Sequence, residues 1–489
     1  MLIYTSTLIM GIKKNFVYSS ILAVSGYIFP LLTFPYVSRV LGVTNIGICN
    51  FIDSIINYFV LFSMMGIAAT GIREVAQHKN DKSTLSNVFS SLLTINAIAT
   101  FIVLVVLVLV TCFVPQIREY WQLMFIGGTK VLFNLFLIEW FFQGIENFKY
   151  ITIRSLIIKI LFVLSVFIFI RNADDYKIYF TLMCLLVAVN AIYNWFYRRK
   201  FVLFDIHNIT LKKYYKSFLT IGTYKLLTSM YTSFNVAFLG FVGGNTEVGY
   251  YTTATKLYAI ILSLFTAFTG VMLPRMSVLM SEGNIHEVKC LISKSFDILL
   301  FLSFPVIAWS VVYAPEIIRL IAGVGYEGAI LPMRIVMPLI LIIGTEQILV
   351  IQILYPLRAD KSILINSIIG ASVGIIANLL FVHYYLSIGS SVVWILSECA
   401  VLISSAYFVW KLTGIKLPVK SFIINFAYSI FFFIICLGIR HCTMNYWGLA
   451  ISALVCGALA FALQIFINKN KFVMNTIHLR NKKKESYNK

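Results

Sequence analysis

Charged side chains that interrupt long apolar segments are the residues of this sequence whose types could do chemistry. They are Asp53, Lys130, Glu139, Lys159, Lys225, Lys256, Arg334, Glu346 and Glu398. A charge surrounded by hydrocarbon is costly unless it is paired or hydrated, so each side chain is expected to face the protein interior. Two interpretations stay open for each one. The first is a structural ion pair or a side chain that reaches the membrane surface, and the second is a role in moving a charged solute.

Helical spacing places several of these charges in polar stripes. Lys225, Thr228, Thr232 and Asn235 fall within about one 100° face of an apolar segment, and Lys256 lies in a looser stripe on the next segment. A lysine in a low dielectric attracts phosphate strongly, so these stripes suit an anionic substrate such as a diphosphate or an acidic sugar. The predicted substrate-binding residues are Lys225, Lys256, Arg39, Lys130, Thr232 and Asn235.

The composition indicates what kind of protein must position these residues. Of the 489 residues, 60% are hydrophobic and only 12% are charged, which leaves too little polar surface for an ordinary soluble protein. Apolar stretches of about twenty residues recur along the chain, and each is long enough to cross a hydrocarbon core. The sequence therefore predicts an all-α polytopic membrane protein with about 14 transmembrane helices.

The positions of lysine and arginine predict how these helices are oriented. With the N-terminus in the cytoplasm, 28 of the 39 lysines and arginines fall in cytoplasmic segments and six fall in outer segments. Basic residues accumulate on the cytoplasmic side of membrane proteins, so both termini are predicted to be cytoplasmic. The same bias accounts for the net charge of +20 through attraction to membrane lipids rather than to nucleic acid.

An internal repeat relates the two halves of the chain. A shift of 202 residues superimposes identical residues at four positions: Gly42 on Gly244, Thr44 on Thr246, Gly47 on Gly249 and Arg73 on Arg275. Six predicted spans separate the copies, so both run in the same direction about an axis along the membrane normal. The repeat predicts two parallel six-helix lobes followed by two C-terminal helices.

Domain boundaries follow from the repeat and from the basic connection between its copies. They are 1–200 for the N-terminal lobe, 201–216 for a cytoplasmic linker, 217–411 for the C-terminal lobe, 412–468 for the two extra helices and 469–489 for a basic cytoplasmic tail. Two lobes around a cavity are the architecture of alternating-access transporters.

Enzyme and metal chemistry find little support in the sequence. It has no Gly-rich phosphate loop and no cluster of histidines and cysteines with the spacing of a metal site, and its eight cysteines are scattered singly. We therefore expect a transporter without a bound cofactor or metal, and small packing roles for the cysteines.

Six stretches of the sequence are similar to segments of a known family. They are FPLLTFPYVSRVLG from Phe29, GIREVA from Gly71, EWFFQGIENFKYIT from Glu139, DDY from Asp174, VGYYTTATKLY from Val248 and LPRMS from Leu273. Together they resemble the polysaccharide transporter family, whose Wzx-type members are the flippases of O-antigen and capsule repeat units. The resemblance extends from the first span to about the tenth.

This resemblance implies both a fold and an activity. The fold is that of the multidrug, oligosaccharidyl-lipid and polysaccharide exporters. The activity is movement of an undecaprenyl-diphosphate-linked oligosaccharide from the cytoplasmic to the periplasmic leaflet of the bacterial inner membrane by alternating access. The resemblance also implies coupling to H⁺ or Na⁺ in at least some members, and membrane lipids, an O-antigen polymerase and a chain-length regulator as partners.

A second set of residues is predicted to couple an ion or to gate the protein. Its members are charges within spans, arginines related by the repeat, and prolines that bend only the first copy. They are Asp53, Glu139, Glu346, Arg73, Arg275, Pro30 and Pro35.

Two alternative functions stay open. A multidrug cation exporter of the same fold would favour carboxylates over lysines in its cavity. A membrane glycosyltransferase or O-antigen polymerase would need a large loop that carries catalytic acids or arginines, and the longest outer loop predicted here is about fifteen residues.

Overall fold

The computed structural model describes residues 2–205, 209–443 and 446–466, and the regular secondary structure of these residues is helical. Apolar segments form helices here because a helix satisfies its own backbone hydrogen bonds where water is absent. In these ranges the α-helices are α1 (Leu2–Met64), α2 (Ile67–His78), α3 (Lys82–Phe113), α4 (Pro115–Arg118), α5 (Trp121–Leu137), α6 (Glu139–Gly144), α7 (Phe148–Phe169), α8 (Tyr176–Tyr197), α9 (Leu211–Thr232), α10 (Phe234–Ser281), α11 (Ile285–Val312), α12 (Ala314–Ile321), α13 (Ile330–Val336), α14 (Leu339–Leu349), α15 (Asp360–Ala377), α16 (His383–Thr413), α17 (Val419–Cys442) and α18 (Tyr446–Phe466).

Membrane-length helices dominate the described part of the chain. Ten of them are long and apolar enough to cross a membrane. Three of these ten continue through a kink, at Gly42, Gly244 and Leu386. The helices kinked at Gly42 and Leu386 each accommodate two of the predicted spans, whereas α10 holds the predicted span 252–273 and only the end of 217–242, which lies mostly in α9. The prediction of an all-α polytopic membrane protein is therefore confirmed, whereas the cytoplasmic location of both termini stays a prediction. The predicted basic tail at 469–489 lies outside the described residues.

The kinks in α1 and α10 occur at equivalent positions of the predicted repeat. Gly42 has φ 75° and ψ 168°, and Gly244 has φ 77° and ψ 178°. Only glycine adopts this backbone region readily, because it lacks a Cβ atom. The two glycines that the 202-residue shift superimposes therefore break their helices in the same way, as the repeat predicts.

Contacts between Cα atoms divide the chain into two compact units. The first comprises Met1–Thr253, Ala322–Tyr326 and Gly370–Trp394, and the second comprises Ala254–Ile321, Glu327–Ile369 and Ile395–Lys489. The domain boundaries derived from the repeat are not settled by this division and stay predictions.

Two of the stretches shared with the family pack against each other inside the first unit. The Trp140 ring covers Gly71, where an added Cβ atom would lie 2.3 Å from Cε3 of the ring. Gly144 approaches Val75 in the same way, with Cγ1 at 2.6 Å from such an atom. Phe89 stacks on Trp140 with ring centroids 5.8 Å apart. These glycines are required for close packing of α2 on α6.

In the second unit, α11 forms the centre on which α14, α17 and α18 pack. Trp309 of α11 donates a hydrogen bond from Nε1 to Ser452 Oγ of α18 at 3.1 Å. Arg440, in the last turn of α17, forms an ion pair with Glu316 at 2.8 Å. Glu316 belongs to α12, and Arg440 also donates from Nη1 to the carbonyl of Val312, the last residue of α11, at 3.1 Å. The two C-terminal helices are thus fixed to α11 by polar contacts as well as by apolar packing.

Candidate functional site

A charged triad connects α1 to α5 in the first unit. Asp53 and Asn57 are one helical turn apart, so their side chains share a face of α1. Lys130 of α5 donates from Nζ to Asp53 Oδ1 at 2.6 Å and to Asn57 Oδ1 at 2.8 Å. Asn57 Nδ2 in turn donates to Asp53 Oδ2 at 2.9 Å. The structure therefore brings together two residues that the sequence assigned separately, Lys130 to substrate and Asp53 to coupling.

The triad is mostly shielded from solvent. The side chains of Lys130 and Asp53 are only 15% and 19% exposed. An ion pair in such a place is stable only while both partners are present, since either charge alone would be left in a low dielectric. The arrangement can respond to a second anion, because a phosphate competes with the Asp53 carboxylate for the Lys130 ammonium.

A second ion pair joins α6 to α7. Arg154 Nη2 lies 2.6 Å from Glu139 Oε1, and its Nη1 donates to Asn194 of α8. Asn194 also donates to the carbonyl of Leu137, which is the end of α5. The break between α5 and α6 at Ile138, with φ 36°, frees this carbonyl, and Asn194 satisfies it. Glu139 therefore has a structural partner, and its role in coupling stays a prediction.

The repeated segments of α1 and α10 meet along a seam of equivalent residues. Thr44 Oγ1 lies 2.9 Å from Thr246 Oγ1, and Asn50 Nδ2 donates to Thr252 Oγ1 at 3.0 Å. Both pairs are separated by 202 residues in sequence. A Cβ atom on Gly47 would lie only 1.7 Å from the carbonyl oxygen of Asn245. We name this contact the threonine–glycine seam, and small residues permit it because they let two helix backbones approach closely.

The predicted polar stripe of α9 divides into different environments. Lys225 is half-buried and has no ion-pair partner among the described residues. Asn235, at the start of α10, is fully buried; it accepts a hydrogen bond from Asn378 Nδ2 at 2.7 Å. The side chain of Thr232 lies outside the described residues. Substrate binding by these three residues stays a prediction.

The second unit contains a pair of carboxyl groups. Glu346 of α14 and Glu398 of α16 lie next to each other, and Glu398 is only 3% exposed. Next to Glu346, Gln347 donates from Nε2 to Thr266 at 2.9 Å and accepts from Thr269 at 3.1 Å. Lys256 is half-buried on α10 in the same unit. Two neighbouring buried carboxyl groups repel each other when both are ionised, so this pair can hold one proton.

The remaining predicted residues lie in α1, α2 and α10. Arg39 is exposed and donates from Nη1 to the carbonyl of Pro35 at 2.8 Å. Pro30 lies five residues before Pro35 in α1 and is exposed. Arg73 and Arg275, which the repeat relates, each form an ion pair with a glutamate, Glu74 at 3.1 Å and Glu287 at 2.5 Å. Their predicted roles in binding and gating are not tested by these contacts.

The DDY stretch has a local structural role. Asp175 accepts hydrogen bonds from the backbone N–H groups of Arg171 and Asn172, both at 2.8 Å, in the turn before α8. These two donors lower the pKa of Asp175, since they stabilise its charged form. The stretch therefore fixes the connection between α7 and α8.

Sequence reasoning missed two residues of these networks. In the sequence, Arg154 is only one of the basic residues that predict orientation, and Asn194 is an isolated amide in an apolar segment. A search for polar residues within spans that lack a local partner would have found Asn194.

Comparison with known proteins gives the family. A family model described as "Polysaccharide biosynthesis protein" matches residues 12–280, which is more than half of the chain. The chain belongs to this family. The match runs from residue 12 in α1 almost to the end of α10, so it includes the charged triad and the threonine–glycine seam. It confirms the resemblance found in the sequence. A protein of Escherichia coli (strain K12) named "Putative O-antigen transporter" is 24% identical over 403 residues, which are 80% of this chain and 95% of that protein.

Solved structures show the same fold. The structure titled "Lipid II flippase MurJ, inward closed conformation" matches with a TM-score of 0.74 and 15% identity, covering 94% of this chain and 98% of that one. An outward-facing multidrug resistance transporter of the MATE family matches with a TM-score of 0.57 and 15% identity, covering 82% and 94%. With the family and the named relatives, these matches confirm a multi-pass transporter of the bacterial inner membrane rather than an enzyme.

Proposed function

We propose that this chain is a flippase that moves an undecaprenyl-diphosphate-linked oligosaccharide across the inner membrane by alternating access. The observation that carries the proposal is the similarity of 94% of the chain to a structure titled as a lipid flippase. The family membership supports it, because polysaccharide assembly needs lipid-linked sugars on the outer side of the membrane. A polymerase and a chain-length regulator as partners stay predictions from the family.

The cations described above suit this substrate. A diphosphate presents two phosphate groups, and a lysine ammonium in a partly buried place is a strong point charge for each of them. Lys225 in the first unit has no competing carboxylate among the described residues. In contrast, Lys130 is neutralised by Asp53 and must exchange that partner before it can bind phosphate. We therefore assign first contact with the diphosphate to Lys225.

Transport by a Lys225→Ala variant is expected to fall at least tenfold while its amount in the membrane stays the same, because the charge that holds the diphosphate is removed. Lys256→Ala is expected to have a similar effect. The measurement is flipping of a fluorescent undecaprenyl-diphosphate oligosaccharide by the purified protein in liposomes. Lys216→Ala, an exposed lysine of α9, is the matched control and should transport normally.

This assay tests the flippase proposal and the assignment of the binding site independently. Wild-type protein that exports an organic cation but moves no lipid-linked sugar would overturn the flippase proposal and leave the fold unchanged. Normal flipping by both lysine variants would instead remove Lys225 and Lys256 from the binding site.

The carboxyl pair of the second unit is proposed to bind the coupling proton. A Glu346→Gln variant keeps a hydrogen-bonding side chain of the same shape but loses the shared proton. We expect its flipping rate to become insensitive to a pH gradient across the liposome, whereas the wild-type rate should rise at least threefold with the gradient. Glu316→Gln, in the ion pair with Arg440, is the control and should keep the response. A variant of Glu346 that responds to the gradient like wild type would exclude this pair as the coupling site.

A further inference from the structure

A groove lined by α7 and α8 is not used by the function proposed above. Its volume is about 550 Å³, within the range of small-molecule sites. Its outer rim is formed by side chains that are exposed by about half, Ile157 by 54%, Leu161 by 54% and Tyr193 by 60%. On a transmembrane helix pair such a rim faces the lipid tails. The groove is therefore accessible from the membrane.

The side chains that line the groove are polar at one end and apolar at the other. The first turn of α7 and the last turn of α8 contribute Asn147, Lys149, Tyr150 and Tyr197. Further along, Ile157, Leu161 and their neighbours make the lining apolar. One end can thus hold a polar headgroup and the other end a hydrocarbon chain.

The polar end is both rigid and cationic. The rings of Tyr150 and Tyr197 are stacked with centroids 3.9 Å apart. Lys149 is exposed at the mouth of the groove, and Lys200 lies with its Nζ 5.0 Å from the Tyr197 ring. Arg154 below them is held by Glu139 and Asn194, so its guanidinium stays in the wall. These cations favour an anionic headgroup at this end.

The length of the groove matches one leaflet of a bilayer. Its lining on α7 runs from Asn147 to Leu161, and fourteen residues of α-helix rise about 21 Å. A bilayer with its headgroups is about 40–45 Å thick, so one leaflet takes about half of that. A lipid with one chain in the apolar part would therefore place its phosphate beside Lys149.

We propose that the α7–α8 groove binds one anionic phospholipid of the phosphatidylglycerol class, with its phosphate at Lys149 and one acyl chain along the apolar wall. A phospholipid is favoured over a lipid-linked sugar because it is the bulk solvent of this surface, and occupancy follows ligand concentration. Basic pockets between transmembrane helices are known to select anionic headgroups by charge. The proposal is independent of flipping, since it concerns binding of a resident lipid.

Native mass spectrometry of the full-length protein tests this site. Purified protein is incubated with equal amounts of phosphatidylglycerol and phosphatidylcholine, and the lipids retained after collisional activation are counted. We expect the wild type to retain one phosphatidylglycerol at least fivefold in preference to phosphatidylcholine. Lys149→Glu should abolish this preference through charge repulsion, and Ile157→Trp should lower retention of both lipids by filling the apolar part.

Two control variants keep the test independent of folding and of general lipid contact. Lys411→Glu reverses the charge of an exposed lysine that also lies near an aromatic ring, Tyr407. Lys411 does not line the groove and is distant from its residues in sequence. Ile160→Trp enlarges a side chain of α7 that is 50% exposed and does not line the groove. Both should retain phosphatidylglycerol like wild type. Three outcomes would overturn the proposal. The wild type could retain the two phospholipids equally, or the control variants could lose as much lipid as the groove variants. Undecaprenyl phosphate at equimolar concentration could also displace the bound lipid.

Discussion

Replacing Lys130 by methionine is expected to abolish transport and to lower the stability of the protein by about 3 kcal/mol, because the Asp53 carboxylate is left without its partner in a shielded place. Asp53→Asn should destabilise the protein similarly, since it leaves the ammonium alone. The free energy of unfolding in detergent measures the stability, and liposome flipping measures the transport. Lys79→Met, in the exposed ion pair with Glu146, is the control and should change stability by less than about 1 kcal/mol.

The double variant Lys130→Met/Asp53→Asn distinguishes a structural pair from one that opens during transport. Removal of both charges eliminates the unpaired group, so we expect most of the lost stability to return. Transport should stay absent, because the double variant lacks the Lys130 ammonium that would leave Asp53 and bind a phosphate. Full recovery of transport in the double variant would show that the pair is only structural.

A Gly47→Ala variant is expected to lose at least 90% of flipping, because its methyl group cannot occupy the threonine–glycine seam. The added Cβ atom would lie 1.7 Å from the backbone oxygen of Asn245, and a backbone contact cannot be relieved by rotating a side chain. The helices α1 and α10 must therefore separate at this point. Gly26→Ala, also in α1, is the matched control because no atom lies within 4 Å of its added Cβ.

Crosslinking reports directly on the seam. Cysteines introduced at Thr44 and Thr246 in a cysteine-free background should form a disulfide rapidly in otherwise unchanged protein, since the two hydroxyls lie 2.9 Å apart. In the Gly47→Ala background we expect the rate to fall at least tenfold. Fast crosslinking together with normal flipping in that background would show that the seam tolerates a methyl group and has no part in gating.

Local signals in the sequence were sufficient to predict the helices and the repeat. Gly42 and Gly244 were superimposed by a shift alone, and the structure gives both the same left-handed break. Glycine is informative here because the conformation that it permits is closed to other residues. Long apolar stretches were equally informative, since a membrane admits few structures other than a helix.

Partners of the buried charges could not be derived in the same way. The 202-residue shift superimposes Asp53 on Thr255, next to Lys256, yet the partner of Asp53 is Lys130, 77 residues away in sequence. Helical spacing shows which residues share a face, but not which neighbouring helix covers that face. Asn235 illustrates the same limit, because its stripe with Lys225 suggested a binding surface while Asn378 of another helix covers it.

The seam also bears on the origin of the chain. Thr44 touches Thr246 and Asn50 touches Thr252, so corresponding positions of the two copies meet one another. In a symmetric homodimer, a residue meets its own counterpart only where it lies on the two-fold axis. Such contacts are what a fused pair of identical half-length ancestors would retain. The difference between asparagine at 50 and threonine at 252 marks a position where the two halves have diverged, and the two side chains are joined by a hydrogen bond.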